Sequence, residues 1–193
     1  MNLQFSKNAW NMDGLTYAYS YRFEQTPVFA QLEDCVQNRK NENTRQGFDN
    51  LSLVTTQKYG PQTRITTRCA FDKYGAPLIL LAQELESDSR GVARYGNYVE
   101  IVLYENGINV WHLWMQDGKV TWKKQMSVEF PVSAVEPHTL SVLVGEDTLQ
   151  IQADDRKMFL RMPQIYSSWH AGITACEGIN RFYDLQIETD VKA

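Results

Sequence analysis

The chain has 193 residues, 43% of them hydrophobic and 22% charged, with a formal net charge of −4. A length of this order suits one domain, residues 1–193, that buries roughly 70% of its unfolded surface and needs no disulfide or metal to hold it together. The acidic balance leaves no basic field to attract phosphates, which argues against nucleic acid or an anionic membrane as partner. The densest basic cluster is only Lys123-Lys124.

Period-2 alternation recurs along the chain, and helical periodicity is nearly absent. A short strand at Asn2–Phe5 comes first, then Leu15–Phe23, then a polar loop over Gln37–Gln46. Strands follow at Gln46–Thr56, Thr63–Phe71 and Pro77–Gln83, and an acidic loop occupies Glu84–Arg94. Tyr95-Gly96-Asn97 then leads into a meander of three strands: Tyr98–Glu105, Ile108–Gln116 and Lys119–Val128. Asn106-Gly107 and Asp117-Gly118 join them, the dipeptides of type I′ turns, whose two central residues both need positive φ. The meander carries Trp111, Trp114 and Trp122.

Beyond it lie strands at Thr139–Val144, Leu149–Ala153 and Lys157–Met162. Across a turn at Asp155-Arg156, Leu149, Ile151 and Ala153 are expected to pair with Met162, Leu160 and Met158. Gln150, Gln152 and Arg161 face the other way, as in a half-buried outer sheet. A brief helical turn is expected near Gln164–Trp169, then strands at Ala171–Cys176 and Arg181–Thr189. This many antiparallel strands, with turn signals every ~8–12 residues, specify an all-β sandwich or barrel.

Few residues suggest chemistry. Cys35, Cys69 and Cys176 are odd in number and far apart, so they read as reduced, packed thiols and not as a disulfide framework or zinc site. His112, His138 and His170 lack ligand spacing and read as surface or turn histidines. Asp154-Asp155 shapes a turn and has no evident companions for calcium. No nucleophile elbow, Cys/His pair or Gly-rich phosphate loop occurs, so neither metal nor cofactor is expected. The start MNLQFSKNAW has no secretory pattern, and no apolar run approaches the ~18 residues of a membrane helix. The chain reads as cytoplasmic, unless it is part of a longer secreted protein.

HTLSVLVGEDTLQIQADDRKM, followed by HAGITACEGINRFYDLQIE, resembles the closing strands of the concanavalin A-like lectin/glucanase jelly roll. The likeness lies in a hairpin with an Asp-rich turn, a Gly-containing strand and a final strand with Phe182, Tyr183, Asp184, Leu185 and Ile187. It runs back through the Tyr98–Gln125 meander, about half the chain. The resemblance implies an antiparallel two-sheet β-sandwich that holds a glycan on the concave face of one sheet. Hydrolases of that family carry acids along one strand as E-x-D-x-(x)-E. Alternate residues then share a face ~6.6 Å apart, near the separation a retaining glycosidase needs. The matching stretch here is Glu100-Ile101-Val102-Leu103-Tyr104, in which only Glu100 survives. Val102 stands at the middle acid position, and Glu105 falls on the opposite face. Glu100 is therefore the one catalytic candidate, with Glu84, Glu86 and Asp88 of the adjoining loop as the acids that could assist it.

The meander disagrees with itself about burial. Val99, Ile101 and Leu103 put one set of residues in the core, whereas Val120, Trp122, Met126 and Val128 put the other set there. A β-bulge would reconcile them, as would a concave face that is itself apolar. With the first strand deciding, Tyr98, Glu100, Tyr104, Asn109, Trp111 and Lys124 are the expected ligand-binding residues. The rings offer platforms to a pyranose, and Glu100, Asn109 and Lys124 bond its hydroxyls. The leading expectation is carbohydrate binding without catalysis. The alternatives are a glycan hydrolase with an atypical site built on Glu100, and a protein-interaction module that forms a homo-oligomer through its aromatic face.

Overall fold

The computed structural model describes residues 2–4, 15–19, 30–32, 35–39, 51–71, 75–87, 93–163, 165–176 and 179–192. The first strands are β1 (Asn2–Gln4), β2 (Leu15–Tyr19), β3 (Ala30–Leu32), β4 (Cys35–Arg39), β5 (Leu51–Tyr59) and β6 (Thr63–Phe71). Next come β7 (Ala76–Ala82), β8 (Glu86–Ser87), β9 (Ala93–Arg94), β10 (Tyr98–Tyr104), β11 (Gly107–Gln116) and β12 (Lys119–Glu129). The last are β13 (His138–Val144), β14 (Thr148–Ala153), β15 (Arg156–Arg161), β16 (Trp169–Cys176), β17 (Ile179–Phe182) and β18 (Asp184–Glu188).

One sheet has nine strands in the order β15-β14-β13-β6-β17-β4-β3, with β18 pairing both β6 and β1. A second has seven, in the order β12-β11-β10-β7-β16-β5-β2, and β8 and β9 form a separate hairpin. Every pairing is antiparallel. The large sheets pack face to face around one apolar cluster. Ile65 and Phe71 of β6, Ile101 of β10, Val142 of β13, Ile151 of β14 and Ile173 of β16 all belong to it. Fully burying side chains of this size stabilises by about 1.5–3 kcal/mol each.

Alternation puts each strand where it is. β6 turns Ile65, Thr67, Cys69 and Phe71 inward, and the Thr67 hydroxyl donates to the Asp184 carbonyl at 2.7 Å. Burial pushes the Cys69 thiol well above its ordinary range, as for a packed, unreactive cysteine. β7 is buried on both faces. Its Ile79 and Leu81 join the core, while Leu78, Leu80 and Ala82 pack outside it with Val54 and Tyr95. In the closing motif Phe182, Leu185 and Ile187 are buried. Asp184 accepts the Arg68 amide at 2.8 Å where β17 gives way to β18.

Several expected details differ. Asp117 (φ 50°) and Gly118 (φ 73°) make the expected tight turn. The first hairpin instead turns on Glu105-Asn106, so that Tyr104 pairs with Gly107. Gly107 takes φ 129°, and a Cβ there would lie 2.0 Å from the Val128 carbonyl oxygen, so the close approach of β12 selects the glycine. The β14/β15 hairpin turns on Asp154-Asp155, with Asp154 at φ 53°. Leu149, Ile151 and Ala153 therefore pair with Leu160, Met158 and Arg156, two residues from the expected register.

No helix occurs among the described residues, and Trp169 of the expected helical turn opens β16 as a buried ring. Gln37 to Arg39 belong to β4 and not to a loop, because they pair with β17 and β3. The rest of that loop, residues 40–46, lies outside the described residues, as do residues 20–23, Asp88 and Gln164. His138 and His170 are buried, not surface residues. His138 is held between Asp154 Oδ2 and the Ser133 carbonyl, both at 2.7 Å, and His170 Nδ1 lies 2.9 Å from the Thr55 carbonyl.

Candidate functional site

β10 alternates as its residues dictate, with Val99, Ile101 and Leu103 inward and Tyr98, Glu100, Val102 and Tyr104 on the outer face of the seven-stranded sheet. Register carries that face across four further strands. Glu100 stands opposite Trp111 of β11 and Leu80 of β7. Trp111 in turn stands opposite Lys124 of β12, and Leu80 opposite Gly172 of β16. A neighbouring row runs Trp122, Leu113, Tyr98, Ala82 and His170.

β11 and β12 shift register between Val110 and Trp111, where Val110 faces Met126 but Trp111 faces Lys124. Gln125 is the extra residue of a β-bulge. On one side of it Met126 lies against the core. On the other side Lys124 and Trp122 join the outer face. The opposing demands of the strands are thus both met.

Beyond the bulge the outer face is open and apolar. Trp122 is 64% exposed, and Met115 and Val120 are exposed beside it. Lys124 Nζ sits 4.9 Å from the centre of the Trp111 ring, a cation–π contact that covers one face of that indole. Tyr98 packs edge-on against Tyr95 at 5.2 Å. Asn109 accepts a hydrogen bond from the Ser127 hydroxyl at 2.7 Å. Of the expected ligand-binding residues, Tyr98, Glu100, Trp111 and Lys124 come together, and Asn109 lies one row away. Tyr104 lies on the same face but at its far end, opposite Gly107. The platform left out of the expected set is Trp122, which the Asp117-Gly118 turn sets opposite Leu113.

Glu100 has the most altered chemistry on this face. Leu80 and Trp111 flank it across the strands, and Tyr98 and Val102 flank it along β10. Although the residue keeps some exposure, this surround desolvates its carboxyl and pushes its pKa up to about 7. Among the described residues no cation offsets the effect, since Lys124 stacks on Trp111, two strands away. Near neutral pH the group is therefore both donor and acceptor. His170, farther along, is held below its ordinary range chiefly by burial, with Lys58 adding to it and the bond to Thr55 opposing it.

Among the described residues a second carboxylate is not close. The Glu84 amide bonds the Tyr95 carbonyl at 3.1 Å, and a Cβ on Gly96 would lie 2.5 Å from Glu84 Oε2. Glu84 is therefore level with Gly96, four residues from Glu100, or ~13 Å along the strand. Glu129 lies opposite Gly107, level with Tyr104 and again ~13 Å along. Paired glycosidase carboxyls stand roughly 5–5.5 Å apart in retaining enzymes and roughly 6.5–9.5 Å apart in inverting ones. Among the described residues no group of three or more His, Cys, Asp or Glu gathers as a metal site.

No protein-family model matches the chain, and comparison with curated proteins finds no match. Solved structures do match. The carbohydrate-binding module CBM66 from Bacillus subtilis superposes with a TM-score of 0.64 at 14% identity, over 93% of this chain and 98% of that one. The chain has the concanavalin A-like jelly-roll fold. A family 16 glycoside hydrolase, an endo-glucanase from Bacteroides ovatus, matches this concanavalin A-like chain with a TM-score of 0.66 at 9% identity, over 97% and 99% of the two chains. An immunostimulatory antigen and pseudo β-1,3-glucanase of Mycobacterium tuberculosis matches with 0.60 at 11%, over 98% of each. The expected sandwich is borne out.

Proposed function

We propose that the protein binds a carbohydrate on the outer face of its seven-stranded sheet and breaks no bond in it. The observation that carries this reading is the exposed Trp122 beside the Glu100, Trp111 and Lys124 row, with no second carboxylate nearby among the described residues. A carbohydrate-binding module and a pseudo-glucanase among the structures of the same fold favour it too. Covering ~100 Å² of indole at ~25 cal/mol/Å² stabilises a bound sugar by about 2.5 kcal/mol. One such platform and a few hydrogen bonds bring the dissociation constant to about the millimolar range, once binding costs are subtracted.

The test is calorimetric titration with a panel of neutral oligosaccharides, glucans among them. Saturable binding that Trp122→Ala weakens at least tenfold supports the reading. Absence of binding to any saccharide, or binding indifferent to Trp122, refutes it. A second reading rests on Glu100, because a pKa of about 7 suits a general acid and glycoside hydrolases share the fold. Under it, Glu100→Gln abolishes glycoside turnover while leaving binding intact.

A further inference from the structure

The outer face of the other sheet has a feature that the reading above does not use. There, β15 turns Phe159 into solvent at 69% exposure. Register sets Phe159 opposite Gln150, Gln150 opposite Leu143, and Leu143 opposite Arg64. The neighbouring row runs Lys157, Gln152, Ser141 and Thr66. Between the rows lies a depression of about 70 Å³, lined by Arg64, Ser141, Gln150, Gln152, Lys157 and Phe159. Leu143, though on an outward-facing position, is buried as its apolar floor.

The charge here runs against the chain as a whole. Arg64 and Lys157 both line the depression, whereas the protein carries a net charge of −4. Glu188 approaches Arg64 only at 4.0 Å between exposed groups, a pair of little strength. Asp147 is engaged with Arg161 at 3.0 Å. A flat ring, two amide side chains and two cations on a rigid sheet match a particular ligand chemistry. The ring takes the C–H face of a sugar, the amides bond its hydroxyls, and Arg64 with Lys157 take an anionic substituent.

We propose that the Phe159 face is a second saccharide-binding surface, specific for an acidic sugar carrying a carboxylate or a sulfate ester. The site is independent of the Trp122 face and stands whether or not that face binds glycans.

The test uses calorimetric titration of the full chain with an oligogalacturonate, a sulfated galactan oligosaccharide, inorganic sulfate and a neutral glucan oligosaccharide. At least one acidic oligosaccharide is expected to bind, and the two acidic probes distinguish carboxylate from sulfate as the recognised group. Phe159→Ala and the double variant Arg64→Gln/Lys157→Gln should each weaken that binding at least tenfold. Phe159→Tyr should retain it, Trp122→Ala should not alter it, and raised salt should weaken it. Because Phe159, Arg64 and Lys157 are surface residues, unchanged near-ultraviolet dichroism is expected in every variant. No binding of either acidic probe overturns the proposal. So does binding that Trp122→Ala abolishes, or that inorganic sulfate reproduces without dependence on Phe159.

Discussion

Replacing Glu100 by glutamine removes an ionisable group from a water-poor setting, and the sign of the effect on folding follows from the direction of its pKa. Burial raises the folded-state value from 4.5 to about 7. Above pH 7 the carboxyl is ionised in both states, and the folded state bears the full cost of a desolvated charge. Below pH 4.5 it is neutral in both states and costs nothing. Between these limits the folded protein binds more protons than the unfolded chain, so this residue's contribution to stability falls as pH rises. At ~1.4 kcal/mol per pH unit the full cost reaches about 3 kcal/mol, an upper bound because the side chain keeps some contact with water. Glu100→Gln should therefore be more stable than the parent by about 1–3 kcal/mol at pH 8 and indistinguishable from it at pH 4. Urea denaturation at intervals between pH 4 and 8 measures the difference directly. A stability gap that does not change with pH, or a parent protein that gains more stability than the variant as pH rises, would refute the desolvation argument.

Trp122→Ala should change folding stability by less than about 1 kcal/mol, since the ring is mostly in water, while weakening saccharide binding at least tenfold; denaturation and titration on one preparation separate the effects. Gly107→Ala should cost more than about 2 kcal/mol by urea denaturation. The new Cβ meets the Val128 carbonyl at a φ of 129°, and a flawless denaturation curve at parental stability would show that β12 can withdraw. Asp154→Ala should cost about 1–3 kcal/mol. It removes the acceptor of the Thr139 amide and of His138, and a loss no larger than that of a surface substitution would count against this role.

Much of the sandwich is legible in the sequence because a strand buried on one face leaves a period of two. Val99, Ile101 and Leu103 declare their face without help from any other element. Asp117-Gly118 is legible as well, since its dihedral demand is local. The first hairpin is less so. Its turn lies one residue before the expected dipeptide, shifting the pairing by two, because Gly107 answers to the approach of Val128 and not to the turn itself. That slip is harmless to the faces, because an even shift returns every side chain to the same side. The β14/β15 hairpin is also displaced by two residues, and it too keeps its apolar face. The candidate site was harder to read. Nothing local says that Lys124 covers Trp111, or that Trp122 is the ring left open. The Asp117-Gly118 turn sets Trp111 opposite Lys124 and Leu113 opposite Trp122, but which ring is covered depends on side-chain placement, and the bulge at Gln125 that turns Met126 inward shows only in the conflict between neighbouring strands.

A sequence selected for folding alone would not place these residues as they are. Glu100 sits among Leu80, Trp111, Tyr98 and Val102 with no cation among the described residues to offset its charge, and glutamine would fit with less cost at neutral pH. Trp122 holds a large ring in water on an edge strand, where a polar residue would resist association. Each departure alone is unremarkable, since exposed apolar residues are common and single buried acids occur. Their meeting on one face, two strands apart, is what local folding rules do not explain and the proposed recognition would. The same reasoning separates the outer faces of the two sheets. On the nine-stranded sheet the departures are one aromatic ring and an excess of cations in a polar field. On the seven-stranded sheet they are an apolar platform and one protonatable acid. The first pairing suits a charged saccharide and the second a neutral one, so titration of both kinds of ligand against both sets of variants should divide cleanly by face.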